Sequence, residues 1–177
     1  MKRVSFSDQR CSLAQALEVI GEWWTLLIIR EAYFGTRRFS DFQSRLGIAR
    51  NVLSDRLDRL VENGLLQREP ASPGAKRVHY RLTDKGRDLV TAVVALVQWG
   101  DRWVSGPDNA PVRMVDRATG AEIDDVQVRS QDGRPLAFHD IGLQPGPGAD
   151  QAIHERFQET VTNDGAVRWR IRRHMAA

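Results

Sequence analysis

Arg50, Asn51, Ser54 and Asp55 stand within six consecutive positions. Between them they supply a forked cationic donor, an amide that donates and accepts, a hydroxyl and a carboxylate. In a helix, spacings of three and four residues put such side chains on one face. That chemistry reads base edges in a DNA major groove, where Arg pairs with guanine, Asn with adenine and Asp with cytosine. Arg37, Arg38, Lys76 and Arg77 form a second set, cations in loop-like stretches, suited to phosphate oxygens that position a duplex without specifying its sequence. Cys11 is the single thiol of the chain. A place just before a first helix favours its thiolate and makes it a candidate redox sensor, although a half-buried Cys is also an ordinary packing residue. Without a second cysteine, any disulfide would have to join two subunits or take up a small thiol.

Catalytic chemistry finds less to work with. Glu122, Asp124 and Asp125 with His139 could be arranged as an acid and base, but acidic clusters in loop-rich segments are usually solvated. No glycine-rich phosphate loop or nucleophile elbow is present. His79, His139, His154 and His174 lack ligand spacing, so the sequence predicts no catalytic residues, no metal and no cofactor.

The 177 residues, 41% of them apolar, suffice for one ordinary domain and a small addition. Lys and Arg number 26 against 23 Asp and Glu, a net charge of +3. Residues 1–104 hold 17 cationic against 12 acidic side chains, a balance of +5, and residues 105–177 hold 9 against 11, a balance of −2. The basic half is N-terminal, which suits a polyanionic partner. A lone cysteine excludes a disulfide framework within the chain, and apolar runs such as Leu26 to Ile29 are too short for a membrane span or signal core. The expectation is a cytoplasmic protein without a membrane partner.

The elements that must position these groups follow from periodicity and punctuation. Ser12 and Gln15 read as a capping box opening a helix that ends near Gly21. Glu22 to Phe34 is a second helix, apolar round so much of its circumference that it must be central. Ser40, with Gln43, reads as the cap of a third, whose buried side is Phe39, Phe42 and Leu46. After the Gly47 turn, Arg50 to Asn63 places Leu53, Leu57, Leu60 and Val61 inward, with Asn51, Ser54, Asp55 and Asp58 outward; Gly64 closes it. Arg56 and Arg59 flank the buried stripe and are expected to pair along their own helix rather than read bases. Two β-type segments, Leu65 to Glu69 and Arg77 to Leu82, enclose a Pro- and Gly-containing tip. Thr83 then opens a long helix to about Val104, with more apolar surface than one core can take.

Two helices joined by a tight turn and followed by a hairpin make a winged helix-turn-helix. Cys11, the run GEWWTLLIIRE at 21–31, RRFS at 37–40, VLSDRL at 52–57, Gly64-Leu65 and YRLTDKG at 80–86 together resemble the HxlR-type regulators over roughly residues 11–104. The chain departs from many relatives at Ala49-Arg50, where they carry Ser-Pro. The resemblance implies a homodimeric repressor or activator that binds double-stranded DNA. It places the recognition helix at about Arg50 to Asn63 in the major groove and the wing, about Leu65 to Leu82, on the backbone. It also implies pairing through the last long helix, with Leu89, Val93, Leu96, Val97 and Trp103 at the dimer interface. Some relatives use a cysteine near the position of Cys11 to sense oxidants or electrophiles.

The expected fold class is mainly α with a β-hairpin wing, followed by a small β-rich C-terminal extension. Residues 1–105 form the DNA-binding and dimerisation domain. Residues 106–177 form the extension, ending in a hairpin of residues 157–162 and 167–172 about an Asn163-Asp164-Gly165 turn. In some relatives paired cysteine knuckles lie near Ala118 to Gly120 and Ser130 to Gly133; here the cysteines are absent, and a degenerate zinc-ribbon-like fold without metal is expected. Trp23, Trp24, Trp99 and Trp103 read as core or interface, or alternatively as the lining of a small-molecule effector pocket. The competing functional reading is a winged-helix protein-interaction module that does not bind DNA.

Overall fold

The computed structural model describes residues 5–161 and 167–171. The chain divides into two compact units, Met1–Val126 and Gln127–Ala177.

In the first unit, α1 (Ser12–Ile20) begins at Cys11, which is the extended N-cap residue and makes no side-chain cap bond. Ser12 is already helical, so it cannot close the expected capping box. The Gln15 amide instead donates to the carbonyls of Ser7 and Gln9, each at 2.9 Å. α2 (Trp23–Tyr33) buries Thr25, Ile28, Ile29 and Glu31. Its run is not central throughout, since Trp23, the first helical residue, is 90% exposed. α3 (Phe39–Leu46) is capped by the backbone of Arg38. Ser40 lies inside the helix, and its hydroxyl donates to Asp41 Oδ1 at 3.1 Å rather than serving the helix end.

Gly47 takes the left-handed conformation (φ 63°) that ends α3 tightly enough for α4 (Arg50–Glu62) to start three residues later. α4 is closed by a paired cap in which Leu65 N–H donates to Leu60 O and Gly64 N–H to Val61 O. Strands β1 (Leu66–Pro70) and β2 (Val78–Leu82) pair antiparallel, Leu66 opposite Leu82 and Pro70 opposite Val78. The core lies between helices and wing: Ile28, Ile29, Phe42, Leu53, Leu57 and Leu66 are almost wholly buried, and the Phe42 ring meets Tyr80 edge-on at 6.4 Å.

The expected helix from Thr83 to Val104 is segmented into α5 (Asp84–Asp88), a turn at Leu89, α6 (Val90–Gly100) and a wider π turn over Asp101–Ser105. Thr83 caps α5: its hydroxyl accepts from Gly86 N–H and donates to Gly64 O at 2.6 Å. Gly86 is buried, and a Cβ there would stand 2.2 Å from Leu65 O. α5 is thus locked against the end of α4, whereas α6 follows the core.

After α6 the extension contains turns where strands were expected. Residues 112–126 form one bridge, Val115 to Glu122, about a turn closed by Gly120 N–H on Asp116 O. Gln98 of α6 staples this segment, donating to Asp124 O and accepting from Val126 N–H at 2.8 Å.

In the second unit Arg129 bridges Pro135, and the intervening turn is held by Ser130 and Asp132. The Ser130 hydroxyl, with the Arg134 N–H, keeps the Asp132 carboxyl below its ordinary range. The Asp116 carboxylate likewise accepts from Ala118 N–H at 2.8 Å, so side-chain oxygens brace the turns at both places where the resemblance pointed to absent cysteines. α7 (Gln151–Arg156) leads into β3 (Phe157–Val161), antiparallel to β4 (Val167–Ile171). The Asn163-Asp164-Gly165 turn and Arg172 lie outside the described residues.

Candidate nucleic-acid interface

Helix α4 separates its two roles by face. Leu53, Leu57 and Leu60 are at most 2% exposed, while Arg50, Asn51, Ser54 and Asp55 face solvent. The four are not equivalent. Arg50 stacks its guanidinium over the Phe39 ring at 5.5 Å, which draws it toward α3. Asp55 is engaged by Arg56 at 3.2 Å and Arg59 at 3.4 Å. The side chains of Asn51 and Ser54 have no hydrogen-bond partner among the described residues, so their polar atoms are available to a ligand.

The cations divide in the same way. Arg56 is largely covered, and it reaches Glu22 at the N-cap of α2 at 3.7 Å as well as Asp55. Arg68 pairs with Asp58 and lies over Tyr80 at 5.8 Å, joining β1 to α4. Sequence reading missed this link because it spans ten positions and depends on how the hairpin packs. Arg81 pairs with Glu69 across the wing. Arg37, Arg38, Lys76 and Arg77 are all exposed and have no ion-pair partner among the described residues. Tyr80 N–H donates to Arg37 O at 2.8 Å, so the loop carrying Arg37 and Arg38 runs beside β2, and Lys76 and Arg77 stand at the wing tip.

Behind this surface, Glu31 is a buried carboxylate held by Arg30 at 2.9 Å, the Thr36 hydroxyl at 3.2 Å and Arg45 at 3.8 Å. It joins α2 to α3 and fixes the start of the Arg37-Arg38 loop. A buried carboxylate needs such partners to remain charged.

The expected interface residues between Leu89 and Trp103 do not share one environment. Val93 is only 7% exposed and belongs to the chain's own core, against which Leu89 and Val97 also pack. This corrects the reading of Val93 as a contact residue: α6 is apolar over most of its circumference, so composition gave no clear phase for its faces. Leu96, Trp99 and Trp103 are exposed, as are Leu13 and Leu17 of α1. Cys11 is exposed. Among the described residues no group of His, Cys, Asp or Glu is arranged to hold a metal, and no single helix is long and apolar enough to cross a membrane.

The HxlR-like helix-turn-helix family matches residues 19–108, from α1 through the end of α6 and beyond. The chain belongs to the HxlR-like family. Rv3095 of Mycobacterium tuberculosis, named an uncharacterized HTH-type transcriptional regulator, is 44% identical over 137 residues, 77% of this chain and 87% of the relative. YvaP of Bacillus subtilis, with the same description, is 30% identical over 91 residues, 51% of this chain and 84% of its own. The crystal structure of PA1607, a candidate transcription factor, superposes with a TM-score of 0.75 at 42% identity, covering 81% of this chain and all of that one. PA1374 of Pseudomonas aeruginosa gives 0.59 at 38% identity, covering 82% of this chain and 99% of its own. This HxlR-like protein is therefore a helix-turn-helix transcriptional regulator of mainly helical fold with a hairpin wing. Its likeness to the mycobacterial regulator extends past the family match, since 137 aligned residues cannot fit within the first 108.

Proposed function

We propose that this HxlR-like regulator binds duplex DNA sequence-specifically as a homodimer, with α4 in the major groove and the β1–β2 wing along the backbone. The observation that carries the reading is the division of polar groups. The side chains of Asn51 and Ser54 on α4, and of the cations Arg37, Arg38, Lys76 and Arg77 around it, have no partner among the described residues, while Arg56, Arg68 and Arg81 are held in ion pairs. Unpaired donors flanking a helix of groove-compatible width suit a duplex. Arg50 and Asp55 join the base-reading set once the duplex displaces their present contacts.

In the dimer, the exposed Leu96, Trp99 and Trp103 pack against their two-fold mates together with Leu13 and Leu17, and the two α4 helices meet half-sites about 34 Å apart. A thiol-reactive signal, in this reading, acts through Cys11 at the start of α1, where an adduct would alter the spacing of the two recognition helices. Cytoplasmic location follows from the role.

The test is a salt titration of binding to an operator recovered by selection from random duplexes. The reading expects a steep linear loss of log affinity with log salt concentration. Lys76→Ala and Arg77→Ala weaken all sequences alike, each reducing the slope by about 0.9. Recovery of no duplex by the folded protein would favour the alternative, a winged-helix module that binds other proteins.

A further inference from the structure

A cavity of about 350 Å³ lies within the first unit, between the end of α2, one face of α6 and residues 111–114. Its walls are mostly apolar: Tyr33 and Phe34, whose rings stand 5.9 Å apart, face Val94 and Val97 of α6 and Val112 and Met114 beyond it. The α6 face used here is not the one that bears Leu96, Trp99 and Trp103. The volume and composition are those of a small-molecule site, a largely apolar chamber with few polar groups.

Three charged residues line the cavity: Arg30, Glu31 and Asp101. Glu31 is matched, since Arg30 and Arg45 both approach it. Asp101 is half-buried and has no ion-pair or hydrogen-bond partner through its side chain among the described residues. A carboxylate beside aromatic and aliphatic walls is complementary to a protonated nitrogen on an apolar body, and the ring faces add attraction for that cation.

We infer that this cavity is an effector site for a small amphiphilic amine, its ring among Tyr33, Phe34, Val94 and Met114 and its cation on Asp101. For its consequence the inference rests on the DNA-binding reading above. Glu31, in the lining, accepts from the Thr36 hydroxyl, and its backbone carbonyl accepts from Thr36 N–H at 3.0 Å. Thr36 leads directly into Arg37, whose carbonyl is fixed to Tyr80 of the wing. An occupant that shifts the end of α2 therefore moves the loop that carries Arg37 and Arg38.

The site is tested without DNA, by calorimetric titration of the full chain with 1-naphthylmethylamine, 1-naphthalenemethanol and 1-naphthylacetate. The expected result is one site per chain that prefers the amine. Asp101→Asn lowers amine affinity about tenfold and leaves the alcohol unchanged. Val94→Trp and Met114→Trp fill the cavity from opposite walls, and either, if folded by its thermal melt, abolishes binding of the amine. Acetate binding as tight as the amine, indifference of the amine to Asp101→Asn, or no binding of any probe to the folded wild type would overturn the proposal. Bound amine is expected to change operator affinity at least about fivefold, and Thr36→Val to cancel that change while retaining the amine. Operator affinity indifferent to bound amine overturns the coupling. A chain that binds amine but no duplex supports the cavity and contradicts only the DNA reading.

Discussion

At the scale of single residues, what decides whether a polar side chain can act on a partner is whether the fold has already used it. The outward face of α4 was legible from periodicity, because Leu53, Leu57 and Leu60 mark the opposite side so clearly. The internal commitments of that face were not. Arg50 over Phe39 and Arg68 on Asp58 arise where separate elements meet, and no local spacing encodes them. The exclusion of Arg56 and Arg59 from base reading agrees with their ion pairs to Asp55, although the bridge from Arg56 to Glu22 needs the packed structure to appear. Cys11, exposed at the N-cap of α1, yields a direct expectation. Treatment with a quinone is expected to change operator affinity in the wild type and not in Cys11→Ser; equal responses in the two proteins, measured by anisotropy, would remove Cys11 as the sensor.

At the scale of elements, helix order and the turn glycines were readable, while caps and faces were not. Ser12 and Ser40 each satisfied a capping pattern but lie one or two residues inside their helices, where a hydroxyl cannot reach the orphan amides as an N-cap does. The last helix was readable in extent but not in its break at Leu89, and the close approach of Gly86 to Leu65 O, a tertiary contact, left no local pattern either. That contact predicts opposite outcomes at two glycines. Gly86→Ala should destabilise the protein by about 2–3 kcal/mol, since neither backbone can yield easily. Gly100→Ala, in helical geometry with nothing within 4 Å of the added methyl, should stabilise it by about 0.5–1 kcal/mol. Chemical denaturation of both variants measures the pair, and a neutral Gly86→Ala would mean that α5 is not locked against the end of α4.

At the scale of the whole molecule, the basic N-terminal half, the wing and the exposed apolar stripes belong to one design. Leu96 and Trp99 of α6, Trp103 in the following turn, and Leu13 and Leu17 of α1 are exposed apolar side chains that the proposed homodimer would cover. Leu96→Glu with Trp99→Glu should yield monomers in sedimentation equilibrium at micromolar concentration, with the melting temperature of each chain's core little changed. Val93→Glu should instead unfold the chain, because Val93 lies in its own core. A double variant that stays dimeric would place the pairing surface elsewhere. The residues after α6 were legible only as turn-rich sequence: the oxygens of Asp116 in the first unit and of Ser130 and Asp132 in the second hold the turns, and a pattern search built on cysteine spacing passes over them.

The central claim is that α4 reads DNA through the polar groups the fold leaves free. Its most direct measurement is the ratio of operator to random-duplex affinity, by anisotropy at fixed salt, for the wild type, Asn51→Ala and Ser54→Ala. The account predicts that each substitution lowers the ratio by about 1–3 kcal/mol per lost base contact while the affinity for random duplex holds. An unchanged ratio in both variants would contradict it.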